Sequence, residues 1–156
     1  ASTYLDEYLK KFSGLAMYIE KTKSDAARLG YTETLFGRRR YFSGFKSSLP
    51  NLRAQAERMA VNAPIQGTQA DIIKRAMVEA DALIEKNEWR GKVRLLLQVH
   101  DELVYEIEAK ESESIARTLR DVMEGVVDTA RLGGVPIIAE VAIGKNWGVT
   151  ERINRS

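Results

Sequence analysis

The stretch Leu95–Glu108 reads LLLQVHDELVYEIE, and it carries the clearest structural pattern in the second half of the chain. Apolar residues run up to the only histidine, two acids follow it, and apolar residues then return at alternate positions. A period of two is typical of strands, and a polar group between two such runs favours a turn. The sequence therefore predicts a hairpin of Val93–Val99 and Leu103–Ile107, joined at residues 100–102.

The N-terminal part of the chain shows helical periodicity over Thr3–Leu29, with a break at residues 13–14. Gly30 is a natural helix end, because glycine adopts a left-handed backbone without strain. Two short runs of aromatic and β-branched residues then flank residues 36–37. These runs predict a second hairpin, with arginines at its tip.

A long helical pattern covers Leu52–Lys86, and Pro64 and Gly67 interrupt its first part. Proline removes a backbone donor, so we expect a kinked helix or two abutting helices there. Pro64 and Gly67 are equally typical of a plain helix break. Helical periodicity returns between Ile115 and Val126, and Ile137–Ile143 alternates as a further strand.

These elements predict an α+β fold, with one antiparallel sheet and helices packed mainly on one face. The hairpin strands and the strand at 137–143 are expected in that sheet. No internal repeat, low-complexity segment or linker divides the sequence, so residues 1–156 are expected to form a single domain.

The composition limits the possible functions. A chain of 156 residues that is 44% hydrophobic and 29% charged is typical of a globular domain. No apolar run is long enough for a membrane helix, and the start lacks a signal peptide pattern, so a cytoplasmic location is expected. Without cysteine there is no thiolate metal site, which leaves oxygen ligands that favour magnesium, manganese or calcium.

Charge is unevenly distributed in a chain with a net charge of +2. Between Arg38 and Arg58 six bases face one acid, and between Asp101 and Asp128 nine acids face three bases. A basic stretch of this kind is typical of either a phosphate-binding face or an ordinary solvated surface. The acids at 101–102 likewise fit a metal site or a solvated turn, and the residues alone leave both interpretations open.

Three strings occur in order along the chain: GYTETLFGRRRY at Gly30–Tyr41, ERMAVNAPIQGTQADIIKRAM at Glu57–Met77, and VHDELV at Val99–Val104. Together they resemble three signatures of the bacterial DNA polymerase I family, also called family A. The resemblance is collinear over nearly the whole chain. It implies the C-terminal, palm-type sheet of a polymerase domain, with the adjoining helices.

In that family the aspartate that matches Asp101 binds two catalytic Mg²⁺ ions, and the acid that matches Glu102 supports the site. The histidine that matches His100 contacts the primer terminus. The chemistry of these residue types agrees, because two-metal phosphoryl transfer needs hard carboxylate oxygens on a rigid support. The resemblance thus implies catalytic roles for Asp101 and Glu102, with Asp101 as the metal ligand.

The residues that match Arg58, Asn62 and Gln66 reach the minor groove of the primer–template duplex in that family. A spacing of four places them on one helix face, and amides can donate to acceptors that every correct base pair presents. The resemblance also places the hairpin arginines near the DNA backbone: Arg38, Arg39 and Arg40. Their alternative role is to keep a hairpin edge soluble.

Two family elements do not occur in this sequence: a strand of the type D-(Y/F)-S-x-I-E-L-R and a fingers helix of the type R-x3-K-x6-(F/Y)-G. Both are expected before Ala1. The resemblance implies part of a DNA-directed DNA polymerase that adds deoxynucleotides to a primer 3′ end. Its partners would be primer–template DNA, deoxynucleoside triphosphates and the rest of the polymerase chain, and the segment alone is expected to be inactive. The alternative is a free-standing, non-catalytic module that binds duplex DNA.

Overall fold

The computed structural model describes residues 2–154. Its contacts divide the chain into two compact units, with the boundary between Asp71 and Ile72. That boundary falls inside a long helix. The expected single domain over residues 1–156 stays a prediction.

The first unit begins with two helices, α1 (Ser2–Lys11) and α2 (Ser13–Leu29). They are separated at Phe12, one residue before the predicted break. Gly30 follows α2 with a φ of 81°, and its N–H donates to the carbonyl of Ala26 at 2.9 Å. The predicted helix end is confirmed, and the left-handed backbone explains why glycine is suited to this position.

A hairpin follows, in which β1 (Tyr31–Glu33) pairs antiparallel with β2 (Arg39–Tyr41). Glu33 lies opposite Arg39, so the register places opposite charges side by side. The connecting loop contains Gly37 with a φ of 81°. The predicted hairpin is confirmed, but of the arginines predicted at its tip only Arg38 lies in the connecting loop, because Arg39 and Arg40 are already part of β2.

The longest element is α3 (Pro50–Lys86), an unbroken helix of 37 residues that contains Pro64. Proline fits the first position of a helix, which explains the start at Pro50. Of the two predicted forms, the division into two helices is wrong. Tertiary packing before and after Pro64, through the buried side chains of Ala63 and Ala76, outweighs one lost backbone hydrogen bond.

The second unit contains the hairpin that the opening stretch predicts. β3 (Val93–Val99) pairs antiparallel with β4 (Glu102–Ile107), which starts one residue earlier than predicted. Helix α4 (Ser112–Gly125) confirms the predicted helical stretch. A one-residue bulge occurs at Leu96, because Leu95 pairs with Tyr105 while Leu97 pairs with Val104, the residue directly before Tyr105.

The core of the second unit joins three elements. Ala80 and Ile84 from α3, Val93 from β3, and Ile115 and Leu119 from α4 form one buried cluster. Val93 is the first residue of its strand, so the helices hold the end of the hairpin that is remote from the turn. The turn itself projects away from this core.

The last hairpin pairs β5 (Ala142–Asn146) with β6 (Val149–Arg152). The prediction that Ile137–Ile143 forms a strand in the same sheet as the earlier hairpin is wrong. Alternation fixes which face a side chain takes, but a strand also needs a neighbour. Here the N–H of Ala139 donates to the side chain of Glu124 at 2.8 Å and not to a strand.

Within residues 2–154 the strands form three separate antiparallel pairs, so the predicted single sheet is corrected while the α+β class is confirmed. Helices and hairpins alternate along the chain. Short 3-10 segments complete the connections: Gly44–Lys46, Trp89–Gly91, Ala109–Glu111 and Thr129–Leu132.

Candidate nucleic-acid interface and metal site

The turn between β3 and β4 has only two residues, His100 and Asp101, because Val99 already pairs with Glu102. His100 has a φ of 52°, in the left-handed region that disfavours residues with a side chain. Among the non-glycine residues that the structure describes, Glu88 alone shares a positive φ. Such strain costs on the order of 1–3 kcal/mol and is often found at functional sites.

The two acids at this turn are exposed and free. Within residues 2–154, Asp101 and Glu102 make no side-chain hydrogen bond and no ion pair. The backbone beside them is held, because Gln98 Nε2 donates to the carbonyl of His100 at 2.5 Å. Adjacent carboxylates repel each other, so a cation would relieve the repulsion.

The donor chemistry of this turn suits magnesium, which prefers carboxylate oxygens. In the part of the chain that the structure describes, no group of three or more histidine, cysteine or acidic residues is arranged to hold a metal ion. The turn thus offers part of a coordination shell. Asp101 and Glu102 would need further oxygen ligands from water, substrate or another segment.

Helix α3 presents one polar face in the first unit. Arg58, Asn62 and Gln66 lie on successive turns, all are exposed, and their side chains have no partner among residues 2–154. Buried alanines occupy the opposite face of the same helix: Ala56, Ala60 and Ala63. Small side chains allow the helix to pack closely on one side while the polar groups stay available on the other.

The three hairpin arginines have different environments. Arg38 Nε lies 2.7 Å from Asp71 Oδ1, and Arg38 Nη2 donates to the carbonyl of Gly67 at 3.0 Å. Arg38 is therefore bound to α3 at two points.

Arg39 pairs with Glu33 at 2.6 Å and lies over the ring of Tyr31 at 4.5 Å. The hydrogen bond to Glu33 raises the pKa of Arg39 above its ordinary value. Arg40 lies 5.6 Å from the ring of Phe42 and forms no ion pair within the described residues. Only Arg40 of the three keeps its charge uncompensated by an acid.

A cleft of about 230 Å³ brings several predicted site residues together in the first unit. Arg38, Arg40 and Gln66 line it, with Gly67 and Ala70 of α3. Arg39 points to Glu33 and Tyr31, as described above. His100, Asp101 and Glu102 belong to the second unit.

Sequence reasoning missed the residues that hold the first hairpin on α3. The N–H of Leu35 donates to Thr68 Oγ1 at 2.9 Å, and the carboxylate of Asp71 forms an ion pair with Arg38. These partners are 33 residues apart in the sequence, so no local pattern shows them. The one available signal is that Gly67 and Asp71 lie one turn apart in the string that carries Gln66.

Among the described residues, no helix combines the length and the apolar composition that a membrane span requires.

Comparisons with known proteins point to one family. The family model described as “DNA polymerase family A” matches residues 1–149. The chain is 45% identical over 147 residues to the thermostable DNA polymerase I of Thermus aquaticus, which covers 94% of this chain and 17% of that protein. DNA polymerase I of Pseudomonas aeruginosa is 41% identical over 147 residues, with 94% and 15% covered.

A solved structure gives the same result. The POL domain of Pol1 from M. smegmatis, in complex with DNA primer-template and dNTP, matches with a TM-score of 0.79 and 38% identity. The match covers 86% of this chain and 23% of that one. The fold is thus that of part of a polymerase domain.

The chain belongs to DNA polymerase family A. It spans 17% or less of the length of the curated relatives described here.

Proposed function

We propose that the chain is part of a DNA-directed DNA polymerase that adds deoxynucleotides to a primer 3′ end. One observation carries the proposal: in a chain of family A, Asp101 and Glu102 lie side by side on a turn held by paired strands, exposed and without a partner. The substrates would be deoxynucleoside triphosphates and a primer–template duplex.

The proposed cofactor is Mg²⁺, with two ions in the complete enzyme. Magnesium supplies charge neutralisation and orientation at a phosphate during phosphoryl transfer. Asp101 would be the ligand, and Glu102 would support it as a second carboxylate. His100 adjoins both acids, and we assign it to contact with the primer end.

The duplex contacts follow from α3. Arg58, Asn62 and Gln66 form an exposed row without internal partners, which suits amide and guanidinium donors aimed at minor-groove acceptors. Such acceptors are common to all correct base pairs, so the contact would be independent of sequence. The solved structure of Pol1 with primer-template DNA supports a duplex as the partner.

The hairpin arginines enter this proposal unequally. Arg40 is free of acidic partners and suits a phosphate. Arg39 shares its charge with Glu33, and Arg38 shares its charge with Asp71. We therefore expect Arg40 to contribute most of the salt-dependent contact.

A non-catalytic duplex-binding module remains the second candidate. The observation that favours it is that the described residues hold no group of three metal-ligating side chains. The coding sequence upstream of Ala1 distinguishes the candidates. An in-frame D-(Y/F)-S-x-I-E-L-R string and a fingers helix would support the enzyme.

The decisive experiment uses the complete polymerase that contains this chain, with Asp101→Asn. The amide keeps the shape of the side chain and removes its charge. The single-turnover rate of incorporation should fall by several orders of magnitude while duplex affinity stays nearly unchanged, and Glu102→Gln should cost less. A rate within about tenfold of the unmodified enzyme corresponds to a barrier change of only about 1.4 kcal/mol. That result would mean that Asp101 is not a catalytic ligand and that the turn is ordinary solvated surface.

A further inference from the structure

Arg38 is bound to α3 by two contacts that lie one helical turn apart. Its Nε atom lies 2.7 Å from Asp71 Oδ1, and its Nη2 atom lies 3.0 Å from the carbonyl oxygen of Gly67. The side chain of Asp71 is 12% exposed, against 52% for Arg38. A planar guanidinium held at two points, one of them a largely buried carboxylate, is a firmer link than an ordinary surface ion pair.

The loop that carries Arg38 is attached to the same turn of α3 by other groups. The N–H of Leu35 donates to Thr68 Oγ1 at 2.9 Å. Thr34 Oγ1 accepts from the N–H groups of Phe36 and Arg38, at 3.3 and 3.2 Å, which orders the loop internally. Loop and helix are therefore joined through several contacts.

Gly67 allows this close approach. A Cβ atom at Gly67 would lie 2.6 Å from Thr34 Cγ2 and 3.3 Å from Arg38 Nη2. Side chains of the loop thus occupy the space that the side chain of any other residue would need.

The turn of α3 that receives these contacts is intrinsically weak. Pro64 has no N–H to donate, and glycine costs about 1 kcal/mol relative to alanine inside a helix. Gln66 lies between Pro64 and Gly67, so its backbone position depends on support from outside the helix. A functional side chain needs such support to hold its geometry.

From this arrangement we propose that Arg38 is a positioning residue: with Asp71 and Gly67 it clamps the hairpin loop onto α3 and fixes Gln66 for contact with the duplex. The inference rests on the proposed function, because it concerns how Gln66 is held. The charge of Arg38 is compensated by its ion pair with Asp71. Arg40, which lines the same cleft without an acidic partner, is the phosphate contact.

The first test is the salt dependence of duplex binding by the complete polymerase. Arg40→Ala should flatten the slope of log affinity against log salt by about 0.9, which is one phosphate contact. Arg38→Ala should leave the slope unchanged. A slope reduced by Arg38→Ala as much as by Arg40→Ala would overturn the assignment.

Asp71→Asn separates the two roles of Arg38 further. If Asp71 only withheld Arg38 from DNA, its neutralisation would strengthen duplex binding and overturn the clamp. On the proposal, Asp71→Asn slows extension of a matched primer as Arg38→Ala does. The variant that combines Arg38→Ala with Asp71→Asn is then no slower than either single variant. Arg28→Ala is the matched control, since Arg28 also lies 2.7 Å from an aspartate, Asp25, and both side chains are exposed on α2.

The positioning role is measured on the rate of extension of a matched primer at saturating DNA. Gln66→Ala and Arg38→Ala should each lower it, by roughly tenfold to a hundredfold, without additivity in the double variant. Arg38→Lys keeps the charge and loses the two-point fork, so it should resemble Arg38→Ala.

The outcomes separate the clamp from the duplex role of Gln66. Full activity of Arg38→Lys would overturn the clamp and leave the duplex role of Gln66 intact. Additive losses in the variant that combines Gln66→Ala with Arg38→Ala would have the same meaning. No effect of Gln66→Ala would overturn both.

Discussion

Two hairpins of this chain, β1–β2 and β3–β4, use their charged residues in opposite ways. In the β1–β2 hairpin, Arg38 and Arg39 are paired with acids of the protein itself. In the β3–β4 hairpin, Asp101 and Glu102 have no partner among residues 2–154. The first hairpin is fastened to its neighbour, and the second presents its charges outward.

Burial shows the same difference. Thr32 in β1 is 8% exposed, whereas three consecutive leucines of β3 are between 38% and 54% exposed: Leu95, Leu96 and Leu97. Only the base of the β3–β4 hairpin is packed, through Val93. Internal charge pairs stabilise a surface, while uncompensated charge on a backbone-fixed turn is suited to an external ligand.

The largest change in stability is expected from Gly67→Ala in α3, which would overpack the contact between this helix and the first hairpin. The new Cβ would collide with Thr34 Cγ2, and Thr34 is held by two hydrogen bonds, so it cannot rotate away freely. Overpacking costs about 1–3 kcal/mol and alanine regains about 1 kcal/mol of helix propensity. Chemical denaturation of the chain should show a net loss of up to about 2 kcal/mol.

Two further variants control this result. Gly14→Ala, inside α2 with nothing within 4 Å of its Cβ position, should gain up to about 1 kcal/mol. Thr34→Ser removes the colliding methyl group and keeps the hydroxyl, so it should restore the stability of Gly67→Ala. A stabilised Gly67→Ala variant would show that the loop is not held against α3.

The sequence predicts the second hairpin well and the first one only partly. The alternation on both sides of the acids predicts β3, β4 and the turn, because adjacent strands are local. The attachment of Arg38 to Asp71 is a contact between distant segments, and propensity contains no information about it. Sequence therefore predicted Arg38, Arg39 and Arg40 as one group, whereas the structure separates them.

The last strand shows another limit. Ile137–Ile143 alternates like a strand, yet β5 begins only at Ala142 and pairs with β6. Gly144 permits that pairing, because a Cβ there would overlap the carbonyl of Val149. Periodicity gives the face of a residue, but the partner strand depends on the tertiary fold.

A smaller effect is expected at the packed base of the second hairpin, as a function of pH. Burial, and secondarily the negative charge of Asp81, raise the pKa of Tyr105 to about 12 from its ordinary value of 10.0. Between these values the unfolded chain loses the proton while the folded chain keeps it, so unfolding free energy falls as pH rises. Stability that is fully present below about pH 10 is thus lost towards about pH 12.

Tyr105→Phe has no such proton and should remove this part of the alkaline loss. Denaturation midpoints measured across the alkaline range would show it, with Tyr4→Phe as the control, since Tyr4 is 76% exposed. Parallel alkaline profiles for the unmodified chain and Tyr105→Phe would mean that the base of the hairpin is open to water.

The smallest effect is expected at the turn itself, from His100→Gly. A left-handed backbone costs a non-glycine residue about 1–2 kcal/mol. Glycine avoids this cost, but it loses more conformational entropy on folding, which offsets about 0.5–1 kcal/mol of the gain. His100→Gly should therefore raise the unfolding free energy of the chain by about 0.5–1 kcal/mol. Glu88→Gly, at the other positive φ, should give a similar gain.

The two glycine variants should then differ in activity. In the complete polymerase, His100→Gly should weaken primer-end positioning and slow extension, while Glu88→Gly should act on stability alone. Equal gains in stability with unequal activity would mean that the strain at His100 is retained for its side chain. A loss of stability in His100→Gly would instead show that the imidazole packs into the turn, and the contrast between a fastened hairpin and an open one would no longer hold.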